Sequence, residues 1–269
     1  MNKPLLAVVD AFTREPFGGN PAGVLLLEEW PTDQWLQQFA AEMRHSETAF
    51  LVKREENHYH LRWFTPTVEM KLCGHATLAA AHVLRENHLI QAEKPILFDS
   101  LSGELRVEDE EGRLCLDFPV WQPEASTLSE PILQALGIEN ATIVKSMQGE
   151  EYLIVVDDPS IITSLEPDFE ALHQGIVHMY IVTAPGPAPY DFCSRMFAPN
   201  LGIDEDPVTG SAHSLLTPYW VERLGKTALK AHQSSERGGG LFVRLTDDRV
   251  RIAGDAVTLY VGELTVDPV

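Results

Sequence analysis

Residues 62–76 read RWFTPTVEMKLCGHA, and residues 195–212 read RMFAPNLGIDEDPVTGSA. Both stretches begin with the pattern Arg-x-Phe-x-Pro and end with Gly-x-Ala, and each Gly-x-Ala precedes a run that favours a helix. The two phenylalanines lie 133 residues apart and the two glycines 136 residues apart, about half of the 269-residue chain. Two signatures that recur in the same order at this spacing indicate an internal duplication. The alternative is coincidence, because five-residue patterns recur easily.

The composition is that of a globular protein. Hydrophobic residues make up 44% and charged residues 22% of the chain, which argues against disorder and against a coiled coil. The net charge is −20, from 20 Lys and Arg against 40 Asp and Glu. An acidic surface repels phosphate backbones and anionic lipids, so we expect neither a nucleic-acid nor a membrane partner. A small anionic substrate remains possible at a locally positive site.

The cysteines and the N-terminus indicate a reducing, cytoplasmic setting. Cys73, Cys115 and Cys193 lie far apart with no CxxC pair, so the spacing predicts neither a disulfide framework nor a zinc site. The first ten residues hold too short an apolar run for a signal peptide. No stretch approaches the roughly 18 uncharged residues of a membrane span.

Hydrophobic periodicity predicts an α+β chain. One helix is predicted after Thr32, a capping residue followed by apolar residues at helical spacing, and a second after His75, which precedes a run of strong helix formers. A third long helix is expected after Gly210 and a shorter one near 131–136. Short apolar or alternating runs predict strands, two of them forming a hairpin across the turn 109–112. The predicted strands are 5–11, 23–27, 48–52, 59–64, 96–98, 105–107, 114–118, 142–145, 152–156, 176–183, 192–197, 241–245, 250–253 and 257–266.

The boundary between the two halves is expected in residues 119–131, which hold three prolines and little periodicity. We therefore assign an N-terminal lobe to 1–118 and a C-terminal lobe to 119–269, whose last strand could pack back on the first lobe. If two similar halves face each other, the helices after Gly74 and Gly210 can direct their first N–H groups into the cleft between them. Such groups bind carboxylates, although the glycines could simply permit tight turns.

Three sets of side chains are candidates for chemistry at such a cleft. Cys73 and His75 stand at a helix start, which lowers the pKa of a thiol and disfavours imidazolium, although core or capping roles are the plainer interpretation. The acids 204–206 would by default complement a helix dipole, and no histidine at ligand spacing favours a metal. Glu47 stands where a polar turn leads into an apolar strand, and partial burial there would raise its pKa towards the range useful for proton transfer. The alternative is that Glu47 is an ordinary exposed residue at a strand end.

Taken together, these motifs resemble the PhzF-type isomerase family, related to the phenazine-biosynthesis isomerase. The resemblance implies the diaminopimelate-epimerase-like fold, with two pseudo-symmetric α+β lobes, each a mostly antiparallel sheet wrapped around a central helix. The active site of that fold lies between the lobes. The matching segments, in chain order, are DAF (10–12), GNPAG (19–23), SETAF (46–50), FTP (64–66), CGHAT (73–77) and EDPVTGSA (205–212).

The resemblance also implies the roles of individual residues. The catalytic acid/base of the family falls on Glu47, and His75 and Asp206 would orient the substrate or relay protons. The amides around the two signature glycines, together with a serine, would hold the substrate carboxylate. The implied substrate-binding residues are Asn20, Cys73, Gly74, Gly210 and Ser211.

The sequence therefore predicts a cofactor-independent isomerase, without a metal, that moves a proton within a small carboxylate-bearing substrate; the resemblance implies a homodimer. One alternative is an amino-acid epimerase or racemase that uses Cys73. Related epimerases carry a cysteine at both helix starts, whereas the second position here is Thr209, whose hydroxyl is a far weaker acid. The other alternative is a non-catalytic protein that binds small anions.

Overall fold

The structure, a computed structural model, describes residues 3–173 and 177–269. The chain forms two compact units. The first comprises the residues up to Asp117 together with Ala253–Val269, and the second is Phe118–Ile252. The assignment of 119–269 to the second lobe allowed for a last strand that packs on the first lobe. The final strand pairs antiparallel with the first strand, and the last residues of the chain lie with the first unit.

Strands dominate both units. Those of the first part of the chain are β1 (Leu5–Ala11), β2 (Asn20–Leu27), β3 (Glu47–Glu55), β4 (His58–Phe64), β5 (Glu69–Met70), β6 (Ile96–Ser100), β7 (Gly103–Glu110), β8 (Arg113–Pro119) and β9 (Pro123–Ala125). The others are β10 (Thr142–Ser146), β11 (Glu151–Val155), β12 (Met179–Pro185), β13 (Phe192–Ala198), β14 (Ile203–Asp206), β15 (Ala228–Gln233), β16 (Gly239–Thr246), β17 (Arg249–Gly254) and β18 (Ala256–Glu263). The helices are α1 (Asp33–Met43), α2 (Gly74–Glu86), α3 (Glu130–Leu136), α4 (Pro159–Ser164), α5 (Phe169–Leu172) and α6 (His213–Leu224), with a 3₁₀ turn at Pro199–Leu201.

The two units repeat one pattern of strand pairing. In the first unit β2 and β3 are parallel, as are β4 and β6, while β1 pairs antiparallel with both β2 and β18. In the second unit β11 and β12 are parallel, as are β13 and β15, while β10 pairs antiparallel with both β11 and β9. The pairs β3–β4, β4–β5 and β6–β7 correspond to β12–β13, β13–β14 and β15–β16, all antiparallel. This repeated topology agrees with the internal duplication.

The Arg-x-Phe-x-Pro pattern has one structural role in both units. Arg62 donates two hydrogen bonds, of 2.6 and 2.8 Å, to the carboxylate of Glu69 on β5. Arg195 donates two, of 2.7 and 2.8 Å, to Glu205 on β14. Each guanidinium also lies over the aromatic ring two residues along, 5.1 and 5.0 Å from its centre. Bidentate ion pairs and cation–π contacts therefore fix the same strand pair in each unit.

Two long helices follow the two Gly-x-Ala signatures. α2 is buried along most of its length and packs against β1, β2, β3 and β18, as expected for a helix that is apolar on most sides. α6 packs against β9, β15 and β16. The long helix predicted after Gly210 is present, but it begins three residues after that glycine, whereas α2 begins at Gly74 itself. In the second unit, residues 210–212 form a turn in which His213 N–H donates to the carbonyl of Gly210 at 3.0 Å, and α6 starts at His213.

The first helix has the predicted N-terminal cap, and the predicted hairpin forms with a two-residue turn. Thr32 caps α1, and its hydroxyl accepts a hydrogen bond of 3.3 Å from the Trp35 amide. β7 and β8 pair antiparallel through the two turn residues Glu111 and Gly112, whose φ angles are 55° and 82°. Positive φ at both positions suits the right-handed twist of a two-residue hairpin.

Several segments differ from the predictions. The predicted linker 119–131 carries β9, which pairs with β10, and the beginning of α3, so this segment is part of the second unit. The short strands β5, β9 and β14 give too brief a pattern to recognise, and β15 reads ALKAHQ, with few strand-favouring residues. Of the predicted strand 176–183, Ile176 lies outside the described residues, and β12 begins at Met179.

Over the described residues, no helix combines the length and the apolar content needed to cross a bilayer. Cys73, Cys115 and Cys193 are all buried, and none of these three described residues forms a disulfide.

Candidate active site

Parallel pairing brings the first residues of two strands to one end of the first unit's sheet. β2 begins at Asn20 and β3 at Glu47, and the register places Ala22 opposite Glu47. The turn before Asn20 requires glycine, because Gly19 has a φ of 61° and a Cβ there would lie 2.1 Å from the carbonyl oxygen of Ala11. Backbone geometry therefore carries the Asn20 side chain to the edge where Glu47 begins its strand.

The start of α2 reaches the same place. Cys73 precedes the helix and His75 lies in its first turn, and α2 packs against both β2 and β3. Three separate segments thus contribute to one group of contacting polar side chains, which we call the His75 cluster: Asn20, Ser46, Glu47, Cys73 and His75. Apart from Ser46, which is partly exposed, these side chains are buried; Glu47 is 6% and His75 3% exposed.

His75 is the centre of this cluster. Its Nε2 lies 3.4 Å from Oε2 of Glu47 and 3.3 Å from Oγ of Ser46. Its Nδ1 lies 3.1 Å from Nδ2 of Asn20 and 3.6 Å from Sγ of Cys73. The hydroxyl of Ser46 also donates to Oδ1 of Asn20 at 3.2 Å.

Burial makes His75 neutral. Removal from water lowers the pKa of His75 from 6.5 to about 3, and the charge of His45 acts in the same direction. At neutral pH the 3.4 Å approach of Nε2 to Glu47 is therefore a contact between an uncharged ring and the carboxyl group and not an ion pair. A buried carboxylate next to a neutral donor is suited to accept and return a proton.

Two sets of side chains in the described residues bring three metal-ligating atoms within 4.8 Å of one another. The first is Glu47, Cys73 and His75 of the His75 cluster. Both ring nitrogens of His75 already contact side chains of the cluster, so a metal bound there would have to displace one of those contacts. The second set, His58, Asp99 and Glu104, joins three neighbouring strands and is partly exposed.

Asp206 belongs to a second polar group, in the second unit. It ends β14, is 5% exposed, and accepts a hydrogen bond from the hydroxyl of Thr209. The fully buried Gln233 donates to the Asp206 carbonyl at 2.7 Å and to the Thr209 hydroxyl at 3.2 Å, and it accepts from the Thr209 amide at 2.9 Å. Gly210 and Ser211 follow in the turn before α6. We call residues 206–211 the Asp206 loop.

The structure therefore brings the predicted site residues together in two groups. Asn20, Glu47, Cys73 and His75 contact one another in the first unit, so the interpretation of Glu47 as an exposed residue at a strand end is wrong. In the second unit two of the acids 204–206 have side-chain partners: Glu205 pairs with Arg195, and Asp206 accepts a hydrogen bond from Thr209.

Sequence reasoning missed two participants. Ser46 lies in the SETAF motif, next to Glu47, but the motif assigns it no role. Gln233 lies 27 residues after Asp206, and no sequence pattern links the two; the pairing of β15 with β13 and β16 positions it.

Comparison with known proteins agrees with this architecture. Residues 9–262 match the model of the family described as phenazine biosynthesis-like protein. The chain belongs to this family. An uncharacterized isomerase of Pseudomonas aeruginosa is 47% identical to this family member over 257 residues, which cover 95% of this chain and 96% of the relative.

Solved structures share its fold. A PhzF-family protein from Enterococcus faecalis is 43% identical, with a TM-score of 0.92 over 98% of this chain and all of that one. A probable proline racemase from Agrobacterium radiobacter is 11% identical, with a TM-score of 0.63 over 98% of this chain and 94% of that one, and shows the fold alone. The predicted family and the α+β class are thus confirmed, and the isomerase prediction agrees with the name of the Pseudomonas relative.

Proposed function

We propose that this family member is a cofactor-independent isomerase that moves a proton within a small carboxylate-bearing substrate, with Glu47 as the acid/base. One observation carries the proposal: the buried carboxylate of Glu47 lies 3.4 Å from a ring nitrogen of the neutral His75. A buried carboxylate next to an uncharged donor can remove a proton from carbon, and the carboxylic acid so formed can exchange that proton with solvent before returning it.

The chemistry needs no oxidant or reductant. Glu47 removes a proton from one carbon of the substrate, and the electron pair left behind moves into an adjacent unsaturated system. The carboxylic acid formed on Glu47 then delivers the proton to another carbon of the same system. Protons and electrons balance, so the product is an isomer of the substrate.

The other predicted residues have binding and orienting roles in this proposal. The neutral ring of His75 holds its Nε2 next to the Glu47 carboxylate, at 3.4 Å from Oε2. The first-turn amides near Gly74, the amides near Gly210 and the hydroxyl of Ser211 bind the substrate carboxylate, since such N–H groups favour anions. Asp206 orients an amino or hydroxyl group of the substrate. Its fixed position supports this role, because Thr209 and Gln233 both hold the Asp206 loop.

The epimerase alternative has less support. Racemisation by two thiols needs a thiol at the position that corresponds to Cys73 in the second copy of the signature, and that position is Thr209. The Thr209 hydroxyl donates a hydrogen bond to Asp206 and is not available as a base.

Deuterium incorporation tests the proposal. Hydroxy- and amino-substituted cyclohexadiene carboxylates are incubated in D₂O with the wild-type protein and with Glu47→Gln, and carbon-bound deuterium is measured by NMR. We expect incorporation with the wild type and a loss of at least roughly a hundred-fold with Glu47→Gln, as for removal of a general base. Equal incorporation in both would reject Glu47 as the base. Binding by calorimetry without any exchange would favour the non-catalytic alternative.

A further inference from the structure

A closed ring of hydrogen bonds connects three side chains of the His75 cluster. Ser46 Oγ donates to Oδ1 of Asn20 at 3.2 Å, and Nδ2 of Asn20 donates to Nδ1 of His75 at 3.1 Å. Nε2 of His75 returns to Oγ of Ser46 at 3.3 Å. In this arrangement each side chain gives one hydrogen bond and accepts one, and the proton on His75 must be on Nε2.

The ring by itself is compatible with two directions. If the Asn20 amide were turned over, Nδ1 of His75 would donate to it, and Ser46 would donate to a bare Nε2. Two neighbouring groups decide between these directions. Oε2 of the Glu47 carboxyl group lies 3.4 Å from Nε2 and attracts a proton there, and the Cys73 thiol lies 3.6 Å from Nδ1, where it can donate to a bare nitrogen.

We propose that Ser46 and Asn20 are positioning residues that hold His75 as the Nε2–H tautomer, with that proton on the side of the ring that faces Ser46 and the Glu47 carboxylate. The mechanistic value of this arrangement rests on the proposed function, because it matters only if Glu47 must be ionised to take a proton from carbon. The tautomer itself does not depend on that function and can be measured without a substrate.

The ring explains why these residue types are needed. A histidine with a proton on Nδ1 would present a lone pair to the Glu47 carboxylate, and the two would repel. Burial keeps the ring neutral, so only one nitrogen has a proton to give. The side-chain amide of Asn20 donates to Nδ1 of His75, the nitrogen that must have no proton. A carboxylate at position 20 could only accept a hydrogen bond and would therefore favour a proton on Nδ1.

The tautomer is tested by ¹⁵N NMR of the full-length protein labelled at histidine, because the two ring nitrogens of a neutral histidine have well-separated shifts. The His75 signals are assigned by their loss in His75→Gln. We expect the wild type to show the Nε2–H form. Asn20→Asp should move protonation onto Nδ1, and Ser46→Ala should give a mixture of tautomers. Ser46→Thr, which keeps the hydroxyl, should retain the wild-type form.

Ser102→Ala serves as the matched control, since Ser102 donates to the Lys71 carbonyl at an exposed site outside the cluster. It should leave the His75 signals unchanged. Circular dichroism and thermal unfolding establish that each variant is folded before its spectrum is interpreted. A wild-type Nδ1–H form, or an Nε2–H form that persists in folded Asn20→Asp and Ser46→Ala, would overturn the proposal.

Kinetics provide the second readout. In the deuterium-exchange assay, Ser46→Ala should lower the rate roughly ten-fold or more, as expected for a lost hydrogen bond next to a charged group. It should also move the acidic limb of the pH profile to higher pH, and Ser46→Thr should restore both. If Glu47→Gln leaves exchange intact while the tautomer responds as expected, the proposed function fails and the positioning role stands. If Glu47→Gln abolishes exchange while the tautomer does not respond, only the positioning role fails.

Discussion

Cys73 and Thr209 occupy equivalent positions in the two copies of the signature, yet their side chains serve different partners. The Cys73 thiol lies 3.6 Å from Nδ1 of His75, while the Thr209 hydroxyl donates to the carboxylate of Asp206. The duplicated fold therefore carries one thiol and one hydroxyl where a two-thiol enzyme needs two thiols. This asymmetry favours a mechanism in which a single carboxylate moves the proton.

The first prediction concerns Cys73. Because Glu47 is the proposed base, we expect Cys73→Ala to keep deuterium exchange within about ten-fold of the wild type, the effect of one lost weak contact. Exchange into the same cyclohexadiene carboxylates measures this, with Glu47→Gln as the inactive reference. A loss in Cys73→Ala as large as that in Glu47→Gln would instead favour an epimerase that uses the thiol.

The second prediction concerns Gln233, which holds the Asp206 loop through three hydrogen bonds. In Gln233→Leu the amide of Thr209 loses its buried partner, so we expect the free energy of unfolding to fall by roughly 1–3 kcal/mol. Urea denaturation measures the change. Gln134→Leu, on the exposed face of α3, is the control and should change stability by no more than about 0.5 kcal/mol. Equal effects would show that Gln233 does not fix the loop.

The third prediction concerns Arg195. Besides its two bonds to Glu205, its Nη1 donates to the carbonyls of Ile162 and Leu165 at the end of α4, at 3.2 and 2.8 Å. Lysine cannot reproduce this planar set of donors, so Arg195→Lys should lower the free energy of unfolding by roughly 1–3 kcal/mol. Arg106→Lys, whose side chain is 51% exposed, should cost little in the same urea experiment. An unchanged midpoint in Arg195→Lys would contradict the structural role of the signature arginine.

The fourth prediction concerns pH and stability. Burial lowers the pKa of His75 from 6.5 to about 3 and that of His213 from 6.5 to about 4. Between about pH 4 and pH 6.5 the unfolded chain binds protons that these folded side chains do not. Stability must therefore fall as the pH falls through this window, by up to about 1.4 kcal/mol per pH unit for each histidine.

Urea denaturation at pH 5.0, 5.5 and 6.0 measures this slope. In His75→Gln and in His213→Gln the slope should be smaller than in the wild type, and smallest in the double variant. His173→Gln, which changes an exposed histidine, is the control and should leave the slope unchanged. A slope that is the same in all four variants would mean that both buried rings are protonated in the folded state.

Local sequence patterns predicted most of the fold because the signals are local. The apolar run at residues 5–11 and the cap at Thr32 involve neighbours in the chain, and β1 and α1 form there. The sequence shows that Arg62 and Arg195 occupy matching positions of the repeated signature. It does not show which contacts require an arginine at these positions. Each arginine pairs with a glutamate, on β5 and on β14, and these strands are too short to be recognised from the sequence.

The sequence alone determined the α+β class, the duplication and the ordered motifs that identify the family, since each of these depends on residue types at short spacing. Only the tertiary structure decided which polar side chains meet. Asn20, Ser46 and His75 come from three segments of the chain, and Gln233 reaches Asp206 from 27 residues away. Contacts of this kind depend on strand register and helix packing, which are set by burial of the whole core and not by any local pattern.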